Sequence, residues 1–349
     1  MGTRRPGRPG QSGRPRRTGQ PGNRSSLWVV GAMLLAVLSV AVFLDGLSGD
    51  DGEKDSRAGQ DSEQDVASSS APTAEEEAEN IRTELAGIAE DIGSEFDATV
   101  GVSMRAGGGL VHAGDLQEIP GLSSIKVPIA MAAVQNAESS GDPVEDLIPD
   151  IDAAITESDN DAALRLWQSL GDEDEAAGAL GSVMAEAGDS TDTFADKERE
   201  DYEGFGDITW TMDNQATFAN RMACVNGAEP VLDAMSRLIE EHSGGLGQLQ
   251  DAHIKGGWGT TADGDFVLRE FGLMGPADAQ VPLSIAVIPD DGTEETSREA
   301  VAEMASRIEP LVEESSSGDG TAECQAAAAD TAAPEEPAAP AEEPAAPAA

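Results

Sequence analysis

The chain has 349 residues, 21 Lys+Arg against 67 Asp+Glu, a formal net charge of −46 and only 3% aromatic residues. That length allows one large or two ordinary domains. The acid excess excludes nucleic acid as a partner, because nothing here could neutralise a run of phosphates. Two cysteines exclude a disulfide-dense scaffold and, by themselves, a four-ligand zinc site.

Residues 1–26 hold seven arginines and no acid. Leu27–Leu44 follows, 18 uncharged residues of which only Gly31 and Ser39 are not hydrophobic. At about 1.5 Å per residue it is roughly 27 Å long, close to the thickness of a bilayer's hydrocarbon. A basic flank before it and acid after it set the orientation: N-terminus cytoplasmic, the remainder extracytoplasmic. The rival, a cleaved signal peptide, fits less well. The stretch is long for an h-region, and Asp45-Gly46-Leu47 offers no small-x-small cleavage site. The expectation is one N-terminal helix in the lipid bilayer of the cell membrane. Residues 45–72 read as an acidic, disordered stalk, and 325–349 as an Ala/Pro/Glu-rich disordered tail. Between them, 73–324 is expected to fold as a single domain.

Thr73 with Glu76 forms a capping box, and Ile81, Leu85, Ile88 and Ile92 recur at helical spacing, which predicts a helix over 74–95. Val100, Val102 and Met104 predict a strand, and Gly107-Gly108-Gly109 turns it into a second near 109–114. Residues 123–243 are helical in pattern, punctuated by Gly141-Asp142-Pro143, Ser158-Asp159-Asn160, Gly171 and Ser243-Gly244-Gly245. His253–Trp258, Asp265–Phe271 and Pro282–Ile288 read as three further strands. Thr296 with Glu299 is expected to cap a last helix carrying Val301, Met304, Ile308 and Leu311. The fold class is therefore α+β: an antiparallel five-stranded sheet from both chain ends, flanked by the terminal helices, with an all-helical insertion.

Chemistry concentrates where these parts join. Ser123 and Lys126 lie three apart on a starting helix and share a face, so the amine can reach the hydroxyl. A lysine near apolar walls and another cation loses affinity for its proton and can serve as a base. Alone, Ser-x-x-Lys is weak and describes many surface helices. Ser158-Asp159-Asn160 would otherwise be an ordinary capping turn, and Lys255-Gly256-Gly257 an ordinary strand. All three in this order, on these elements, arise by chance about one time in a hundred or less.

The three motifs resemble Ser-x-x-Lys, Ser-Asp-Asn and Lys-Thr-Gly of the penicillin-recognising serine enzymes, which include class A β-lactamases and DD-peptidases. The resemblance covers residues 74–313 and the order of elements. It implies that Ser123 is the acyl-forming nucleophile, Lys126 its proton acceptor, Ser158 a proton relay and Lys255 a catalytic cation that engages a substrate carboxylate. Asn160, Gly256, Gly257 and Trp258 would contact substrate, with the Ser123 and Trp258 amides forming the oxyanion hole. The chain also departs from the family. Gly256 replaces Thr or Ser, and the interval from Ser123 to Ser158 is short. No Glu-x-x-x-Asn exists between Asn160 and Lys255 to drive water onto an acyl-enzyme. An efficient β-lactamase is not expected.

Arg269, on the next strand, is a candidate replacement for the missing hydroxyl as a carboxylate anchor. Trp258 either walls the site or covers the sheet, and Trp167 reads as core. His112, His242 and His253 show no metal spacing, and no metal or cofactor is expected. Cys224 and Cys324 are expected to pair in an oxidising compartment. The functional expectation is a membrane-anchored, extracytoplasmic serine hydrolase acting on a small-molecule or peptide amide or ester, a peptidoglycan-derived peptide being one candidate. The alternative is a catalytically weak envelope module that binds or senses.

Overall fold

The capping box at Thr73 closes as its sequence demands: Thr73 Oγ1 accepts from the Glu76 amide at 3.3 Å while the Glu76 carboxylate accepts from the Thr73 amide at 2.9 Å. The computed structural model describes residues 73–106, 108–261 and 264–316, all within one of the chain's two units, Ser68–Ala349. The proposed anchor at 27–44, the stalk, the tail and Cys324 lie outside the described residues. Among the described residues no helix is long and apolar enough to cross a membrane.

Helix α1 (Ala74–Glu95) buries Ile81, Leu85, Ala89 and Ile92, the stripe set by its apolar spacing. It leads into β1 (Ala98–Ala106) and β2 (Gly109–Gly114), an antiparallel pair with Val102 opposite Ala113. The helical stretch holds α2 (Lys126–Ser140), α3 (Ile148–Thr156), α4 (Asn160–Gln168), α5 (Glu173–Glu186), α6 (Met212–Arg221) and α7 (Ala228–Met235). Then come β3 (His253–Thr260), β4 (Phe266–Met274), β5 (Val281–Pro289) and α8 (Glu294–Ser316). The sheet is antiparallel throughout, in the order β2-β1-β5-β4-β3, so strands from both chain ends meet where β1 pairs with β5.

Alternation along the strands divides the core. Val102, Met104, Leu268, Ile285 and Val287 face α1 and α8, together with Leu85, Met304 and Ile308. On the other face Phe271 and Leu273 join a helical core built on Ile129, Met131, Leu166, Trp210 and Phe218. Trp167, only 4% exposed, belongs to that core.

One expectation gains detail and one needs correction. The insertion between β2 and β3 is helical as expected, and its α6 packs across the sheet against β5, β1 and β4. Ser103 on β1 fastens it there, donating to Asp213 Oδ1 at 2.6 Å and meeting His112 Nδ1 at 2.8 Å. The last helix begins a turn earlier than Thr296. Thr293 Oγ1 accepts from the Thr296 amide at 3.2 Å, while the Thr296 hydroxyl reaches back to Asp291. Two threonines three apart competed for the cap, and the one next to the Asp-Gly turn holds it.

Candidate active site

Ser123 sits in a tight 3-10 turn, Leu122–Ile125, that runs directly into α2 at Lys126. Leu122, the residue before it, has φ +49°, a left-handed conformation that typically costs a side-chain-bearing residue about 1–3 kcal/mol. Strand β3 lies flush against this turn. A Cβ on Gly257 would stand 2.9 Å from the Ser123 amide, the Ser124 amide and Leu122 Cβ, so only glycine fits. The Ser123 hydroxyl, half-buried, makes no hydrogen bond to any described residue.

Lys126, Ser158, Asn160 and Lys255 converge. Lys126 is 1% exposed and its Nζ donates to the Ser158 carbonyl at 2.6 Å, Asn160 Oδ1 at 2.7 Å and Ser158 Oγ at 3.3 Å. Lys255, equally buried, donates to the same Ser158 Oγ at 2.9 Å and to the Gly256 carbonyl at 2.9 Å. The local sequence explains the delivery. Asp159 caps α4 by accepting from the Ala162 amide at 2.6 Å, and Ser158 takes φ +56°. The middle residue of Ser158-Asp159-Asn160 thus ties down the helix and leaves its two neighbours to meet the lysines.

Two ammonium groups on one hydroxyl, away from water, cannot both hold their protons at ordinary strength. Burial pushes Lys126 down to about 8, with Asp159's charge opposing. Lys255 is pushed well below the usual lysine range by burial and then by Lys126, with Glu270 opposing. Among the described residues no carboxylate accepts from either amine. The pair titrates as a unit, with Ser158 as the bridge across which a proton can pass.

The remaining predicted residues lie around this group. Gly256 faces the other side of the sheet, where a Cβ would meet Glu270 Cγ at 3.7 Å and Trp258 Cζ3 at 3.9 Å. Trp258 covers that side, its ring 4.8 Å from the His242 ring and 5.5 Å from the Arg298 guanidinium. Arg269 is not free to anchor a carboxylate. It is fully buried and donates to the carbonyls of Ile119 (3.2 Å), Pro120 (2.8 Å) and Trp210 (3.0 Å) and to Gln215 Oε1 (2.6 Å). In register it stands opposite Gly257, so its side chain turns inward beneath the Ser123 turn. Cys224 ends the short turn Met222–Cys224 and is not a free thiol.

Three residues here escape sequence reading. His242 stacks on Trp258 and has its proton affinity lowered by burial and by Lys255. Glu270 is buried behind Gly256 and accepts from the Leu246 amide at 2.8 Å. Gln215 is the third, and its one sequence signal is its place on the inward stripe of α6 with Met212, Ala216 and Ala219. Among the described residues no group of three or more His, Cys, Asp or Glu could hold a metal ion.

No family model matches the chain, and no curated protein does. Solved structures do. The TLA-3 extended-spectrum β-lactamase superposes with a TM-score of 0.53 at 13% identity, covering 66% of this chain and 98% of its own. A representative class A β-lactamase from Bacteroides cellulosilyticus gives 0.52 at 16% identity, over 67% and 98%. A variant of the last common ancestor of the Gram-negative class A β-lactamases gives 0.51 at 17% identity, over 65% and 97%. At such identities the likeness is one of fold, and the described residues have the fold of the class A β-lactamases, as the order and placement of the three motifs implied.

Proposed function

We propose that the domain is a serine hydrolase of the penicillin-recognising kind, held outside the cell membrane by residues 27–44, which forms an acyl-enzyme at Ser123 from an amide or ester. The observation that carries this reading is the meeting of Lys126 and Lys255 on the Ser158 hydroxyl, beside the turn that bears Ser123.

The chemistry follows from those positions. Neutral Lys126 takes the Ser123 proton as Oγ attacks the substrate carbonyl, and the negative oxygen is received by the Ser123 and Trp258 amides. The carbon–leaving-group bond then breaks, and the leaving atom takes its proton from the lysine pair through Ser158. Asn160, fixed through Oδ1 on Lys126, keeps its NH₂ for the substrate. The return half is weaker. Asp207 precedes Ile208, whose carbonyl accepts from the Gly121 amide at 2.8 Å, and its carboxylate is turned to the Glu203 and Gly204 amides, from which it accepts. A water facing the acyl-enzyme lacks a carboxylate with the family's spacing, and loss of such a base commonly means about 10²–10⁴-fold in rate. This favours a long-lived acyl-enzyme and supports the second reading, an envelope module that captures a cell-wall peptide more readily than it releases it. A Cys224–Cys324 bridge would tie the segment after α8 to the helical lobe.

Labelled penicillin and an activated neutral ester, each incubated with the full chain in detergent, test the proposal by mass. A persistent adduct on Ser123, absent from Ser123→Ala, is the expected result. Adducts elsewhere, or none from either donor, leave only the fold. Rapid multiple turnover would mean that another group activates water.

A further inference from the structure

We infer that Gln215, buried beneath the Ser123 turn, is a positioning residue that fixes the nucleophile through the hydroxyl of Ser124. The inference rests on the acyl-enzyme reading of the site.

Gln215 is fully buried on α6 and both ends of its amide are engaged. Oε1 accepts from Arg269 Nη2 at 2.6 Å and from Ser284 Oγ at 2.6 Å. Nε2 donates to Ser124 Oγ at 2.9 Å, and Ser124 Oγ donates in turn to the Gly121 carbonyl at 2.5 Å. The directions are forced. A guanidinium can only donate, so the oxygen of the amide must face Arg269 and the NH₂ must face Ser124. The Ser124 hydroxyl then has one proton left, for Gly121.

Arg269 meanwhile holds the carbonyls of Ile119 and Pro120. Three consecutive carbonyls leading into the nucleophile's turn are therefore held from below by one connected chain that begins on a buried cation. Such chains polarise along their length and stiffen what they hold.

The turn needs holding. Leu122 keeps a left-handed backbone between Gly121 and Ser123, and such strain persists only where the surroundings over-determine it. Gly257 presses on the Ser123 and Ser124 amides from the opposite side without room for a methyl group. The turn is clamped between the Gln215 network and β3, and that clamp sets where the Ser123 oxygen and amide stand. A displacement of about 1 Å at a reacting atom can cost on the order of 10²-fold in rate.

Two substitutions separate positioning from mere stability. Gln215→Glu keeps the acceptors for Arg269 and Ser284, turns the donor to Ser124 into an acceptor and adds a charge that Arg269 faces. Ser124→Ala removes the other end of the same bond. The probe is a fluorophosphonate: the serine oxygen forms a bond to phosphorus, the P–F bond breaks, fluoride leaves and Lys126 takes the proton. Full-length wild type and variants are compared for adduct mass at Ser123, concentration dependence, pH profile and melting temperature.

Both variants should melt near wild type. Their limiting labelling rates should fall about tenfold, with the half-saturating concentration and the pH midpoint unmoved. The double variant should be no slower than either single one, since both break one chain. Labelling as fast as wild type, or rate losses that follow losses in melting temperature, would overturn the inference. If Gln215→Glu does not fold, Ser124→Ala decides alone. Wild type that takes no label at Ser123 overturns the acyl-enzyme reading and this inference together, whereas a labelled wild type with unaffected variants overturns this inference only.

Discussion

Arg269 and Glu270 are neighbours on β4, and both are buried, yet the two faces of the sheet treat them oppositely. On the helical side Arg269 finds three carbonyls and an amide oxygen as acceptors. Burial pulls it down to about 9, so it remains a cation near neutrality. On the α8 side Glu270 receives one backbone N–H, from Leu246, and burial pushes it up to about 7. Burial shifts both groups toward neutrality, and Arg269 stays charged because a guanidinium starts so far above neutral pH, whereas a carboxyl starting at 4.5 is carried to its edge. The lysines at Ser158 fall between these cases: enough acceptors to be held, too few and too neutral to keep both protons.

Removing the well-served charge should have the largest effect. Arg269→Met strands the carbonyls of Ile119, Pro120 and Trp210, and should lower stability by about 3–5 kcal/mol in denaturant titrations. A loss under 1 kcal/mol would mean that the network is not holding the turn.

The poorly served charge predicts the reverse. Glu270's carboxyl is near 7 when folded and near 4.5 when free. Between those values the native state binds more protons than the unfolded state, so stability should fall as pH rises from about 4.5 to 7. Glu270→Gln still accepts from Leu246 and should flatten that part of the curve, by up to about 3 kcal/mol. An unchanged slope would assign the fall to other groups, of which Asp189, raised to about 6 mainly by burial, is one.

Gly257→Ala sharpens the contrast at the turn itself. The added methyl must move the Ser123 amide or β3, and should cost about 1–3 kcal/mol in denaturant titrations and slow labelling of Ser123 further than that loss explains.

The smallest effect lies with the intermediate case. In the proposed acylation Lys126 must be neutral to accept the Ser123 proton, so labelling of Ser123 should climb with pH and level off above about 8. Its linkage has the matching sign. A lysine lowered on folding leaves the unfolded chain more protonated between about 8 and 10.4, so stability should also rise across that window. Rates measured in stopped-flow that are flat from pH 6 to 9 would remove Lys126 as the base.

Much of this was legible in the sequence, for identifiable reasons. Thr73 and Glu76, the period of α1, and the glycine punctuation of the strands are local signals, and the structure uses them locally. Ser123, Lys126, Ser158, Asn160 and Lys255 could be singled out because lysine is so scarce here. Arg269 was misread because a strand covered on both faces gives no alternation to mark which side a charge takes. Only the register, with Arg269 opposite Gly257, shows that it turns inward. The role of α6 was hidden for a similar reason. An apolar stripe states that a helix is covered, and is silent on whether a helix or a sheet covers it.

Ser158 has one more consequence. Its hydroxyl is shared by a lysine rooted in helix α2 and a lysine rooted in strand β3, so the one contact belongs to both lobes at once. Opening either lobe would uncover two amines and let them regain protons, which links local breathing to proton uptake. The backbone amides of β3 and α4 should therefore exchange with deuterium as a single cooperative unit whose protection weakens as pH falls, and independent exchange of the two would show that the lobes breathe separately.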